Sequence, residues 1–455
     1  MHFHRPSLFK SSWRSIAILA AFVLTTHVAN AEALLLVEAD SGKVLQAENA
    51  TNPWYPASLT KLMTAYVTLK AVKEGRITMD TLFTVSPTAA SQAPSKMGFR
   101  PGTQVTVDNA LKMMMVKSAN DMAVVLAEGV GGSIDGFAAL MNQNAQRLGM
   151  TQTHYVNPNG LPADGHITSA RDLAILARAI VHDLPEYEYF VHIPSIRYGR
   201  RIVQNFNKLI GRYPGADGFK TGFICSSGYN LVASATRNGK RLIAIVLGAS
   251  SGHARSVKAI QMLDRGFSND TLSWLHPSLG TVDSLAPIDA SPPDLRDEMC
   301  SGKRHKPASD EDEDTTASNG SGQALAFFST GQTPALKPSE LLAAAPAPSE
   351  PIPVYTGPTR TGAALIAAVA ADANEQAAAA RHGKKSRHAA RKPDAADDTG
   401  KEAKSKPAKH ANAKPDAAKS ADKPAATEKS EAKPAKRKAA VKPAKPAPKS
   451  DAKSG

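Results

Sequence analysis

Three short motifs occur in a fixed order along the chain: Ser58-Leu59-Thr60-Lys61, Ser118-Ala119-Asn120 and Lys220-Thr221-Gly222. They stand about 60 and then about 100 residues apart. A Ser-x-x-Lys string alone turns up by chance in most chains of this length. The three together, in this order, demand a fold that brings distant segments to one cleft around a serine and two lysines.

Each motif has residue types suited to one task. Ser58 and Lys61 are three positions apart, which on a helix puts both on one face. Pro56 suits a first helical turn, where its missing N–H does no harm. The Ser58 hydroxyl then lies at the positive end of the helix dipole. A serine hydroxyl needs a base to act as a nucleophile. Lys61 can be that base where burial and a nearby cation disfavour its charged form, and Lys220 is the obvious cation. Ser118, in a turn between helical segments, can relay a proton. The Asn120 amide can both donate to and accept from a peptide backbone. Lys220-Thr221-Gly222 leads into a strand, and a glycine there lets another backbone come close. An extended peptide can add to such a strand, with its terminal carboxylate at Lys220 and Thr221. The backbone N–H groups of Ser58 and Phe223 are candidates for an oxyanion hole. Taken singly, the motifs reduce to a capped helix with a surface lysine, an ordinary turn and an ordinary strand.

The surrounding pattern sets the fold class. Leu34 to Val37 and Val44-Leu45 flank an Asp40-Ser41-Gly42 turn, and the stretches 229–235 and 241–247 flank Arg237-Asn238-Gly239. Both read as hairpins, and Asn-Gly is the strongest short hairpin signal. Between them the periodicity is helical over 58–70, 107–115, 121–128, 134–148 and 170–182. Thr168-Ser169-Ala170-Arg171-Asp172 has the hydroxyl cap and early acid of a helix start, and 257–267 is a last amphipathic helix. Strands at both ends with helices between predict an α+β body: an antiparallel sheet with a helical insertion.

The termini differ from this body. Arg5, Lys10 and Arg14 precede an apolar Ile16–Val23 and an Ala29-Asn30-Ala31 cleavage pattern, so residues 1–31 read as an export signal. The formal net charge is +14. Residues 381–455 hold 22 Lys and Arg against 9 Asp and Glu, hence +13, and the first 31 residues carry +3. The body between is thus close to neutral, at −2. The expected domains are a catalytic body over 32–275, a Pro-rich linker over 276–308 and a disordered tail over 309–455, acidic and then rich in Ala, Lys and Pro. Residues 364–380 could form a transient Ala-rich helix. Of the two cysteines, Cys225 is expected to be a buried small residue and Cys300 a free thiol, not a bridged pair. His166, His182 and His192 are scattered and read as surface or structural residues. No cluster has metal-ligand spacing, so no metal or organic cofactor is expected.

The chain resembles the low-molecular-mass penicillin-binding proteins that are serine-type D-Ala-D-Ala carboxypeptidases, the peptidase family that includes penicillin-binding protein 5. The likeness runs from about Ala33 to Phe267. Besides the three motifs it includes Pro56 to Thr64, Leu148-Gly149-Met150-Thr151, Asn159-Gly160-Leu161, the 168–172 stretch and Gly228 to Ala235. The resemblance implies a β-lactamase/transpeptidase-like fold, an acyl-enzyme on Ser58, Lys61 as base, Ser118 as relay, and Asn120, Lys220 and Thr221 as substrate-binding residues. It also implies that Arg255 stands near the substrate carboxylate. The implied partners are peptidoglycan stem peptides and, as covalent inhibitors, β-lactams. Two departures stand out. The stretch after Pro277 shows neither alternating strands nor an amphipathic anchor helix, and Phe223-Ile224-Cys225 is bulkier than small polar residues would be.

Three other readings compete. A class A β-lactamase would carry a Glu-x-x-Leu-Asn string, and no such string occurs between Ser118 and Lys220, where Glu186 and Glu188 stand in a Pro-Glu-Tyr-Glu-Tyr context instead. A D,D-endopeptidase would use the same apparatus. The basic tail could bind polyanions; behind an export signal, anionic envelope surfaces suit it better than nucleic acid. The expected protein is exported and periplasmic.

Overall fold

The computed structural model describes residues 1–2, 32–268, 278–301 and 336–389. Residues 3–31, where the export signal is expected, and the tail from 390 onward therefore lie outside the described residues. In chain order the elements are β1 (Ala33–Glu38), β2 (Val44–Glu48), a 3-10 turn at Ala57–Leu59, α1 (Thr60–Lys73), β3 (Leu82–Thr84), α2 (Pro87–Ser91), β4 (Gln104–Thr106), α3 (Val107–Val116), α4 (Asn120–Gly131), α5 (Ile134–Arg147), α6 (Ala170–Asp183), a 3-10 turn at Pro185–Val191, β5 (Ser195–Tyr198) and β6 (Arg201–Gln204). They continue with β7 (Ala216–Ile224), β8 (Gly228–Arg237), β9 (Lys240–Ala249), α7 (Gly252–Phe267), a 3-10 turn at Val282–Ser284, α8 (Arg296–Cys300), α9 (Pro338–Ala343), β10 (Ile352–Val354) and α10 (Gly362–Ala389).

The expected α+β body is present. The sheet is antiparallel with order β2-β1-β9-β8-β7, so strands from both ends of the domain are neighbours. The Asn-Gly hairpin joins β8 to β9, with Asn238 at φ 52° and Gly239 at φ 76°. Both values lie in the left-handed region that a two-residue hairpin turn requires. β8 and β9 are buried on both faces, and their alternation sorts side chains into two cores. Val232, Ile243, Ile245 and Leu247 face the helical insertion. Leu231, Ala233, Leu242, Ala244 and Val246 pack with α7 residues such as Ile260 and Leu263. At roughly 1.5–3 kcal/mol per fully buried large aliphatic side chain, these two layers supply the main force holding sheet and helices together.

Hydroxyl caps start the helices of the insertion. The side chains of Thr106, Ser133 and Ser169 accept the backbone N–H of Asn109, Gly136 and Asp172, each contributing about 1 kcal/mol. α4 ends on Gly132 at φ 73°, and Pro185 stands two residues past the end of α6. The first helix departs from expectation. α1 begins at Thr60, not Ser58, because Ala57 takes a left-handed φ of 49° and the chain enters through a 3-10 turn. Pro56 precedes that turn and is not in the first turn of α1.

Three further expectations are corrected. Cys225 and Cys300 form a disulfide with Cα atoms 5.7 Å apart. Sequence spacing hid it because the partners are 75 residues apart. The stretch read as a linker is anchored to the body at three points, with Val282, Leu295 and Cys300 buried. Part of the stretch read as disordered also has structure. β10 pairs in parallel with β5, from Ile352 on Ile196 to Val354 on Tyr198. Beyond it, the Tyr355 N–H donates to Asn109 Oδ1 at 3.2 Å. Val354 is fully buried, which explains how so short a strand holds. The Ala-rich run expected at 364–380 lies within α10.

A bridge closing a 75-residue separation stabilises by about 4 kcal/mol in the chain-entropy picture. Reducing the purified protein, or replacing Cys300→Ser, is expected to lower its melting temperature by several degrees. Quantitative alkylation of both cysteines without prior reduction would contradict the bridge.

Candidate active site

Lys61 sets the geometry. Its side chain has no exposed surface, and a lysine in that position must have its polar head satisfied. Nζ donates to Asn120 Oδ1 and to the Asn159 backbone carbonyl, each at 2.7 Å, and lies 2.9 Å from Ser58 Oγ. The amide oxygen and the carbonyl can only accept. A neutral amine there, with its two N–H bonds spent on them, can turn its lone pair to the Ser58 hydroxyl. That is the arrangement a nucleophile and its base require.

Each partner of Lys61 is held by a separate local device. Ser58 occupies the 3-10 turn under the strained Ala57. Beneath it, Gly160 at φ 81° comes so close that a Cβ there would lie 1.8 Å from the Ala57 carbonyl oxygen. Only glycine fits, and this contact seats the Asn159 carbonyl against Lys61. Asn120 opens α4 and also donates from Nδ2 to the Ala93 carbonyl at 2.9 Å. Next to it, buried Asp121 accepts the backbone N–H groups of Met97 and Gly98. Burial raises its pKa, and these backbone donors oppose the rise. The segment 93–98 is thereby fixed over the Ser-Ala-Asn turn. The structure thus gives Asn120, which also lines the cleft, a positioning task toward Lys61 beside the substrate-binding one expected.

Ser118 sits at φ 60°, unusual for a residue other than glycine. Strain of this kind collects at functional sites. Its Oγ is buried on the cleft wall with no hydrogen-bond partner among the described residues. Thr221 Oγ1 is likewise buried and unpaired among the described residues. Lys220 is 1% exposed, with Nζ 3.2 Å from the Thr221 carbonyl. β7 is the edge strand of the sheet and lies against the nucleophile's turn. A Cβ on Gly222 would stand 2.9 Å from the Ser58 backbone nitrogen. The glycine is needed because strand and turn touch, a more specific reason than room for a substrate. Phe223 follows directly, so the two candidate oxyanion amides flank this contact. The Phe223 side chain lines the cleft together with Leu161 and Phe206. Arg255 is not a solvated residue. It is 4% exposed, with its guanidinium 3.4 and 3.3 Å from the carbonyls of Gly222 and Asn230. It therefore braces β7 from behind.

Comparison with known proteins agrees with this geometry. The family model described as D-alanyl-D-alanine carboxypeptidase matches residues 21–251. The chain belongs to that family. It is 40% identical over 246 residues to the D-alanyl-D-alanine carboxypeptidase DacC of Escherichia coli, covering 52% of this chain and 61% of that protein. Over 248 residues it is 32% identical to the D-alanyl-D-alanine carboxypeptidase DacB2 of Mycobacterium tuberculosis, covering 82% of it. Among solved structures, penicillin binding protein 5 from Haemophilus influenzae aligns with a TM-score of 0.51 at 36% identity, over 52% of this chain and 70% of that one. The chain thus spans about three-fifths of the DacC relative.

In this peptidase domain the sequence reading missed the Asn159 carbonyl, the 93–98 segment and Phe206. Asn159-Gly160-Leu161 was visible as part of the resemblance, but a backbone acceptor leaves no side-chain signal. His166 proves to be buried, as a structural residue beside the site. Its Nδ1 accepts the Val156 N–H at 3.0 Å, so its Nε2 carries the proton and donates to Thr60 Oγ1 at 2.8 Å. Burial pushes its pKa down to about 4 from 6.5, with a smaller push from His154. The folded ring stays neutral where the unfolded one takes a proton. Stability is therefore complete above pH 6.5 and falls as the pH drops toward 4, by about 2 kcal/mol between pH 6.5 and 5. The melting temperature is expected to fall over that range, and His166→Gln to flatten the fall. An unchanged slope in the variant would assign the acid sensitivity elsewhere.

Proposed function

We propose that this protein is a serine-type D-Ala-D-Ala carboxypeptidase that trims peptidoglycan stem pentapeptides. The carrying observation is the buried Lys61 amine held by two fixed acceptors with Ser58 Oγ as its third neighbour. In this reading the peptide lies along the β7 edge with its carboxylate at Lys220 and Thr221. Lys61 takes the Ser58 proton as Oγ attacks the penultimate D-Ala carbonyl. The backbone N–H groups of Ser58 and Phe223 receive the developing oxyanion. Ser118 passes the proton to the leaving nitrogen, terminal D-Ala departs, and water then cleaves the ester through the same groups. A β-lactam would acylate Ser58 by the same route.

The cleft also bears on how long such an adduct lives. Among the described residues, those lining it include no carboxylate. Glu186 is occupied with Lys73 and Glu188 with Arg241 at 2.5 Å. Neither glutamate is among the residues lining the cleft, where a β-lactamase needs one to activate water, which supports slow release of the drug. With a labelled penicillin, wild type is expected to give a long-lived adduct and to release D-Ala from a D-Ala-D-Ala peptide, and Ser58→Ala to do neither. Fast drug turnover without D-Ala release would favour the β-lactamase, and cleavage of cross-linked dimers only would favour the endopeptidase.

The proposal includes export by residues 1–31 to the periplasm and a tether, from 384 to 455, to anionic envelope surfaces. Removing 384–455 is expected to shift the protein from the envelope to the soluble fraction at low salt but not at high salt. Partitioning that ignores both salt and truncation would exclude the tether.

A further inference from the structure

Beyond the cleft, the β7 edge continues beside a groove of about 420 Å³. Gly160, Leu161 and Ile224 line both spaces, so the two adjoin. One wall is the 161–167 loop with Asp164. The other is Ser226 with Pro292 and Arg296, contributed by the segment after the sheet. That segment is pinned on both sides of Arg296. The Leu295 N–H donates to the Ser226 carbonyl at 3.1 Å, and Cys300 is bonded to Cys225 at the end of β7.

Strand polarity says what reaches this groove. A peptide paired antiparallel to β7, with its carboxylate at Lys220 and Thr221, runs its upstream residues past Ile224 to Ser226. We propose that the groove is a subsite for the upstream part of the substrate peptide, and that Arg296 there binds a carboxylate on the acyl donor. This rests on the carboxypeptidase reading. Arg296 is available for that task. Its recorded ionic partner is Asp294 at 3.7 Å, with side chains 63% and 47% exposed, and so open a pair contributes little. Arginine offers a planar fork that matches a carboxylate in two contacts. Asp164 on the opposite wall repels a second carboxylate and so limits the charge the groove accepts. The disulfide holds the arginine in place before substrate arrives, which lowers the ordering cost of binding.

The test uses two peptides ending in D-Ala-D-Ala, one with a carboxylate on an upstream side chain and one with the corresponding amide. Binding is followed by NMR titration on the full chain carrying Ser58→Ala, with and without Arg296→Ala, so that it does not depend on turnover. The acid is expected to bind about two- to fivefold more tightly than the amide. Arg296→Ala should remove that preference without changing the melting temperature, and Arg296→Lys should restore part of it. In the active enzyme the same substitution should raise KM for the acid peptide and leave kcat unchanged. Equal affinity for acid and amide, or a preference that survives Arg296→Ala, overturns the subsite. Absence of D-Ala release from either peptide by wild type overturns the carboxypeptidase reading separately.

Discussion

A lysine without exposed surface stands two residues into α1, and the arrangement around the cleft follows from the need to satisfy it. A buried ammonium or amine without partners would be intolerable. The chain answers with an asparagine side chain from α4 and a backbone carbonyl from the loop before α6. Neither acceptor can give a proton back, whereas the serine hydroxyl beside them can. Reactivity here follows from a packing requirement: satisfying the lysine is the same act as aiming it.

That requirement works only if separate segments come unusually close. Gly160 admits the loop beneath the serine turn, and Gly222 admits the edge strand beside it. In both places a single methyl group would force backbone apart. The sheet and the helical insertion therefore meet at two glycines whose lack of a side chain sets the working distances of the cleft. Arg255, bonded to strand carbonyls from behind, stiffens the same edge.

Much of this was legible in the sequence. The motifs identified Ser58, Lys61, Ser118, Lys220 and Thr221, and the structure brings their segments to one cleft. The Asn-Gly hairpin and the cap at Ser169 were readable because they depend on neighbours a few residues away. What escaped depends on distance or on backbone. The Asn159 carbonyl has no residue signature. Cys225 and Cys300 meet across a long loop whose closure no local pattern announces. β10 has three residues and gains its place by burying Val354 against β5, in a stretch whose composition speaks for disorder. Arg255 was placed in sequence, but its burial depended on where α7 crosses the sheet.

The pairing of β10 with β5 separates descent from folding. The family model matches residues 21–251, and the packing goes further: the partner of Cys225 is residue 300, and the strand beside β5 comes from 352–354. A boundary drawn where similarity stops would cut through the packing and leave the outer edge of β5 with unpaired backbone groups. For this chain the matched length and the packed length differ, and residues beyond the match, among them Val282, Leu295 and Val354, supply part of the core.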